Sequence, residues 1–114
     1  MGRTFESGAV RDTLEGKLQY EGYLNPLVLH RFAQYMLHHQ TLKDGSTRAA
    51  DNWQKNLPCD VLMDSLLRHV MDVWLYHRGS TAEPVEELED SLCGILFNTQ
   101  ALLKIMIEAR RGSP

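Results

Sequence analysis

The sequence predicts an all-α protein: three main helices in a small bundle, an irregular N-terminal arm, and a long loop between helices one and two. Three observations carry this. Apolar residues recur at helical spacing in three separate stretches. Helix-starting chemistry precedes two of them, as Asn25-Pro26 and as Ser80-Thr81-Ala82-Glu83 followed by Pro84. The length, 114 residues with 43% hydrophobic side chains, bounds the chain to one domain with a modest core.

The first 25 residues are rich in glycine and charge and hold no sustained helical period. Arg11-Asp12-Thr13 and Glu15-Gly16-Lys17 read as an ordered arm or loop, and Tyr20-Glu21-Gly22-Tyr23-Leu24 as extended. Asn25 and Pro26 start a helix that runs to about Gln40, with Leu29, Phe32, Ala33 and Met36 on one face. Residues 41–57 connect it to the next helix, with a turn at Lys43-Asp44-Gly45-Ser46 and a polar run, Asp51-Asn52-Trp53-Gln54-Lys55, around one large aromatic. A connection of that length in so small a domain is usually functional.

The second helix starts at Pro58 or behind an Asp60 cap and ends near His77. Leu62, Met63, Leu66, Leu67, Val70, Val73 and Trp74 fill one side, and Asp64, Ser65, Arg68, His69 and Asp72 the other. The third helix, about 84–110, is apolar along Val85, Leu88, Leu92, Ile95, Leu96, Leu103 and Met106. A narrow second stripe holds Glu87, Asp90, Ser91, Gly94 and Asn98, with Cys93 and Phe97 beyond it. A small polar stripe between apolar zones suggests a face that lines a pocket or a subunit interface.

Bulk properties exclude several classes. A net charge of −3 and a pI near 5.9 oppose binding to a nucleic acid polymer, which needs a basic footprint. Cys59 and Cys93 lack CxxC spacing and read as reduced thiols, with Cys93 in the core. The N-terminus shows no signal peptide, and no uninterrupted apolar run reaches the ~18 residues of a membrane span, so the expected location is cytoplasmic with no membrane partner. Phosphate-cradling glycine loops, zinc-type Cys/His spacing, a His-Asp doublet and GxSxG are all absent from the sequence.

Paired carboxylates remain. His69/Asp72 and Glu87/Asp90 each place two potential ligands three residues apart, on one helical face. Two such helices facing each other would suit a hard divalent cation, Mg²⁺ or Mn²⁺, beside a polyphosphate. A plainer reading also stands: acidic residues at a helix start favour the dipole, which accounts for Glu83, Glu86 and Glu87. For His69 the alternatives are a site role and a structural hydrogen bond. Arg68 suits a phosphate or an ion pair with Asp64 or Asp72. Trp53 suits a stacked base or core closure, Arg11 and Lys17 phosphate contacts or surface charge, and His38-His39 a solvated pair.

Gly8-Ala9-Val10-Arg11-Asp12 with Glu15-Gly16-Lys17 and Tyr20, Asp51-Asn52-Trp53-Gln54-Lys55, Ser65-Leu66-Leu67-Arg68-His69, Asp72-Val73-Trp74, His77-Arg78-Gly79, and Glu86-Glu87 through Leu92-Cys93 to Phe97-Asn98 together form a pattern. Over nearly its whole length the chain resembles the small, mostly phage-encoded proteins of the dATP/dGTP diphosphohydrolase N-terminal type, often described as MazG-like. The resemblance implies an all-α protein that converts purine deoxynucleoside triphosphates to monophosphate and pyrophosphate with magnesium. Asp72, Glu87 and Asp90 would then hold the metal, Glu86 would orient water and His69 would assist. Arg11, Lys17, Lys55 and Arg68 would meet phosphates, and Asn52 and Trp53 the base, with Asn98 on the same stripe. A homo-oligomer is expected, because one chain supplies few walls for such a pocket. MazG proteins proper carry Glu-x-x-Glu on the first helix, where this chain has His69-x-x-Asp72. That departure suits the alternative, a non-catalytic phage protein that sequesters a host signalling nucleotide.

Overall fold

A computed structural model describes residues 2–80 and 87–112. It is mainly α-helical, with one small sheet. The arm departs from the irregular segment expected. Gly2–Thr4 (β1) and Val10–Asp12 (β2) pair antiparallel, with Arg3 opposite Arg11. The turn between them closes at Gly8, whose φ of 86° needs no Cβ to be accommodated and whose N–H reaches the Phe5 carbonyl at 2.9 Å. Tyr20–Tyr23 (α1) is a single helical turn rather than extended chain, because Tyr23 and Leu24 donate N–H to the carbonyls four residues back, both at 2.9 Å.

Pro26–His38 (α2) begins as expected: Asn25 Oδ1 accepts from the Leu27 N–H at 2.9 Å and proline takes the first position. It stops short of Gln40 because the chain there closes a loop. Gln40 and Arg48 exchange two bonds, Arg48 N–H to Gln40 O at 2.9 Å and Gln40 Nε2 to Arg48 O at 2.6 Å. Inside the loop, Asp44 accepts from both the N–H and the hydroxyl of Ser46 at 2.9 and 2.6 Å, which holds its carboxyl below the usual range. Asn52–Lys55 forms one 3-10 turn, ended by Asn56 in the left-handed region.

Cys59–His77 (α3) follows Pro58, so Asp60 is a first-turn acid and not the cap. Leu88–Arg110 (α4) starts later than the expected residue 84: Glu87 is its N-cap, with extended backbone and no capping bond from its side chain. The expected Ser80–Glu83 capping box, Pro84, Val85 and Glu86 fall on or across residues 81–86, outside the described residues. By length and composition α4 could also cross a membrane, with a mean hydropathy of 1.3 over its most apolar 18-residue window. Ser91, Asn98, Thr99, Gln100 and the charged Lys104 interrupt the run, so no unbroken apolar stretch marks it in the sequence.

The main packing is α3 against α4, antiparallel: Ser65 meets Asn98, and His69, one turn further along α3, meets Gly94, one turn back along α4. The packed face takes in only part of the apolar side expected, with Leu62 buried and Leu66 and Val73 half-buried. Leu62 is buried in the seam, flanked by half-buried Ser65, His69 and Asp72, while Leu67 and Trp74 are 55% and 52% exposed. On α4 the seam is made of Ser91, Gly94, Asn98 and Ala101, all buried. Their small side chains let two backbones approach closely, and a polar pair then bridges them.

Gly94 shows how close the approach is. A Cβ built there would lie 2.5 to 2.7 Å from three atoms of the His69 ring. Gly94→Ala is therefore expected to push the imidazole out of the seam and to cost about 1–3 kcal/mol, as overpacking does, read by urea unfolding.

The fold is extended for its length. Its radius of gyration is 19.3 Å, against roughly 13 Å for a compact chain of this size.

Candidate functional site

Two polar centres and one cleft lie along α4. The cleft, about 560 Å³, opens between α2, the 40–57 connection and the middle of α4. Phe32, Tyr35 and Met36 form one wall, Trp53 and Phe97 the other. Trp53 stands edge-on to Phe97, with ring centroids 6.0 Å apart at 76°. The Tyr35 ring stacks near His39, 4.2 Å between centroids, and His39 Nδ1 lies 3.0 Å from the Tyr35 carbonyl. Polar groups enter at the rim: Gln40, Arg48, Asn52 and Gln100. A mostly apolar, aromatic-walled cleft with a few convergent polar groups is the usual form of a small-molecule site.

One helical turn from the cleft, α2 and α4 meet again through charge. Arg31 Nε donates to Glu89 Oε1 and Arg31 Nη2 to Asp90 Oδ1, both at 2.8 Å. Asp90 first, and Glu89 with it, hold the guanidinium still more firmly protonated than usual. Arg31 Nη1 also reaches Cys93 Sγ at 3.8 Å. Burial pushes the Cys93 thiol upward, with Arg31 opposing in the smaller part. Cys93 is buried and Cys59 exposed, so a thiol-specific reagent at neutral pH is expected to label Cys59 rapidly. Cys93 should react only after denaturation, the order being read by peptide mass.

The second polar centre is the seam. Asn98 is 1% exposed; its Nδ2 donates to the Gly94 carbonyl at 2.8 Å and to Ser65 Oγ at 3.2 Å. Its Oδ1 is buried with no partner among the described residues. On the other flank of α4, Lys104 bonds the Gln54 carbonyl and Asn56 Oδ1, both at 3.2 Å, and pairs with Glu108. That lysine ties the Trp53 turn to the helix.

Of the residues singled out in the sequence, Asn52 and Trp53 line the cleft. Lys55 is exposed at the end of the Trp53 turn, and Arg68 is exposed on α3. Arg11 and Lys17 are exposed on the arm, Arg11 within the β-hairpin. His69 and Asn98 meet the α3–α4 seam, Asp72 is half-buried on the same side of α3, and Glu86 lies outside the described residues.

The expected metal ligands are placed as follows. Glu87 is exposed at the α4 N-cap and Asp90 is held by Arg31. Among the described residues, no three His, Cys, Asp or Glu side chains lie close enough together to hold a metal ion.

Sequence reasoning missed Arg31, Arg48, Glu89 and Lys104. Arg31 left one signal, as the one Lys, Arg, Asp or Glu in Pro26–His38. Glu89 and Lys104 gain their roles through partners 48 to 58 residues away, and Arg48 through the closure of the loop onto His39 and Gln40. Comparison of the chain with protein-family models, with curated proteins and with solved structures gave no match.

Proposed function

We propose that this chain binds a purine nucleoside triphosphate, with the base in the α2–α4 cleft and the phosphates toward Arg31. The observation that carries the reading is the cleft itself: the neighbouring rings of Trp53 and Phe97 and those of Phe32 and Tyr35 line a space of about 560 Å³ together with Asn52 and Gln40. Aromatic walls suit a purine ring, and rim amides suit its edge. Arg31 lies one turn along α2 from Tyr35, and Cys93 one turn along α4 from Phe97, so phosphates leaving the cleft along the groove meet a guanidinium that they must take over from Glu89 and Asp90. Arg48 offers a second cation at the rim.

The activity we propose is the one implied by the resemblance: cleavage of a purine deoxynucleoside triphosphate to monophosphate and pyrophosphate, with Mg²⁺ or Mn²⁺. The residues proposed for it remain Asp72, Glu87 and Asp90 for the metal and Glu86 and His69 for the water. One specific observation favours the second reading, a non-catalytic nucleotide-binding protein. Asp90 already accepts a charge-assisted bond from Arg31 at 2.8 Å, so it is engaged as a partner and not held open as a ligand.

Chelation separates the two readings. A panel of purine triphosphates with Mg²⁺ or Mn²⁺ is expected to give monophosphate and pyrophosphate by ion-exchange chromatography, and no product with chelator. Tight binding of uncleaved nucleotide in chelator, weakening as salt rises, would sink the enzyme and keep the cleft. No binding of any purine nucleotide would sink both.

A further inference from the structure

Arg31 is already occupied by anions of the chain's own. Its Nε donates to Glu89 Oε1 and its Nη2 to Asp90 Oδ1, both at 2.8 Å, so one guanidinium fork spans two carboxylates on neighbouring residues of α4. That fork is also the geometry in which arginine takes two oxygens of a phosphate. The contact is wet: the Arg31 side chain is 33% exposed and that of Glu89 73% exposed. Ion pairs this accessible hold weakly, so a phosphate can displace them, whereas a buried pair would resist opening. The released carboxylates keep a second favourable place. Both sit in the first turn of α4, where the helix dipole favours negative charge.

We propose that Glu89, together with Asp90, is a specificity-determining residue: it occupies Arg31 until a ligand brings outer phosphates, and so selects a purine nucleoside triphosphate over the monophosphate. This selection rests on the reading of the cleft as a purine nucleotide site and adds to it what sets the phosphate length. Arg31 lies four residues, roughly 6 Å, along α2 from Tyr35 in the cleft wall. With the base among the aromatic rings, the phosphate next to the sugar lies nearest the cleft and the outer two extend toward the guanidinium. A monophosphate therefore leaves the two carboxylates in place. A triphosphate replaces them with phosphate oxygens that carry more charge. Removing any negative charge near a phosphate favours binding, but only this exchange makes the gain depend on Arg31.

Calorimetric titration of the full chain with deoxyadenosine, its monophosphate and its uncleavable α,β-methylene triphosphate, in Mg²⁺ and again in chelator, tests the exchange. Glu89→Gln keeps the shape of an exposed side chain and removes its charge. It is expected to tighten the triphosphate about 2- to 5-fold, the range of one exposed ion pair, and to leave the nucleoside and the monophosphate unchanged. In an Arg31→Gln background the same substitution is expected to gain nothing, since there is no guanidinium to release. Should Arg31→Gln not fold, Arg31→Lys replaces it. An ammonium point charge lacks the fork that spans both carboxylates, so the gain should fall below that in the wild-type background.

Triphosphate affinity that is unchanged or weaker in Glu89→Gln would overturn the inference, as would an equal gain for the monophosphate. A gain that survives in full without the Arg31 guanidinium would overturn it too, and would make it a general charge effect. In each of these cases the nucleoside still binds, so the cleft stands. Absence of binding for every one of these purine ligands in both conditions would sink the cleft reading and this inference together.

Discussion

Asn98→Asp is expected to be the most destabilising single change in the seam, by at least about 3 kcal/mol at pH 7. The carboxamide at position 98 is 1% exposed, and both of its bonds are donated by Nδ2, to the Gly94 carbonyl and to Ser65 Oγ. Aspartate keeps the shape but replaces the donor with a second acceptor. It aims an anion at a carbonyl oxygen and leaves a buried charge unpaired. Burial disfavours the charged form, so the new carboxyl has a folded pKa above its unfolded value of about 4. The penalty is therefore small at acid pH, where both states hold the proton and the carboxylic acid can still donate. It grows as pH rises through the unfolded value and levels off above the folded one. Urea unfolding of the variant and the wild type at pH 4 and pH 7 checks this. A loss equal at both values would mean that the missing donor, and not the charge, dominates.

Trp53→Ala is expected to weaken a purine nucleotide about 5- to 150-fold while leaving inorganic pyrophosphate nearly unaffected. Stacking an aromatic ring on a base contributes about 1–3 kcal/mol, which corresponds to that range. The indole is half-buried, braced edge-on by Phe97, and carried on a turn that Lys104 anchors through the Gln54 carbonyl and Asn56. It is therefore held in place before any ligand arrives, and its removal should cost affinity without rearranging the phosphate end of the groove. Calorimetric titration with a purine triphosphate and with pyrophosphate reads the difference. Equal loss for both would make Trp53 a structural residue that shapes the cleft and does not touch the base.

Much of the secondary structure is legible from local chemistry. Asn25 and Pro26 dictate where α2 starts, and the apolar spacing marks α3 and α4, because capping and amphipathic period are properties of neighbouring residues. The polar stripe on α4 was legible too: Ser91, Gly94 and Asn98 stood out as a small, polar line within an apolar helix. The Asn-Trp segment could be singled out because a large aromatic in a long polar connection has no local reason to be there.

The tertiary structure decided which stripe faces inward. Hydropathy ranks Met63, Leu67, Val70 and Trp74 above Ser65, His69 and Asp72 as core. Yet the close approach allowed at Gly94, and the bond from Asn98 to Ser65, put the polar stripe in the seam and left the apolar one outside. Periodicity reports that a helix has two faces but carries no information on which neighbour each will meet. The role of Arg31 was equally hidden. Its partners Glu89 and Asp90 lie 58 and 59 residues away, and Asp90, which stood in the sequence as a metal ligand, is in the fold an acceptor for that arginine. The local sequence determined the helices and their stripes, while the pairing of side chains distant along the chain required the fold, because contact at that separation depends on how helices dock.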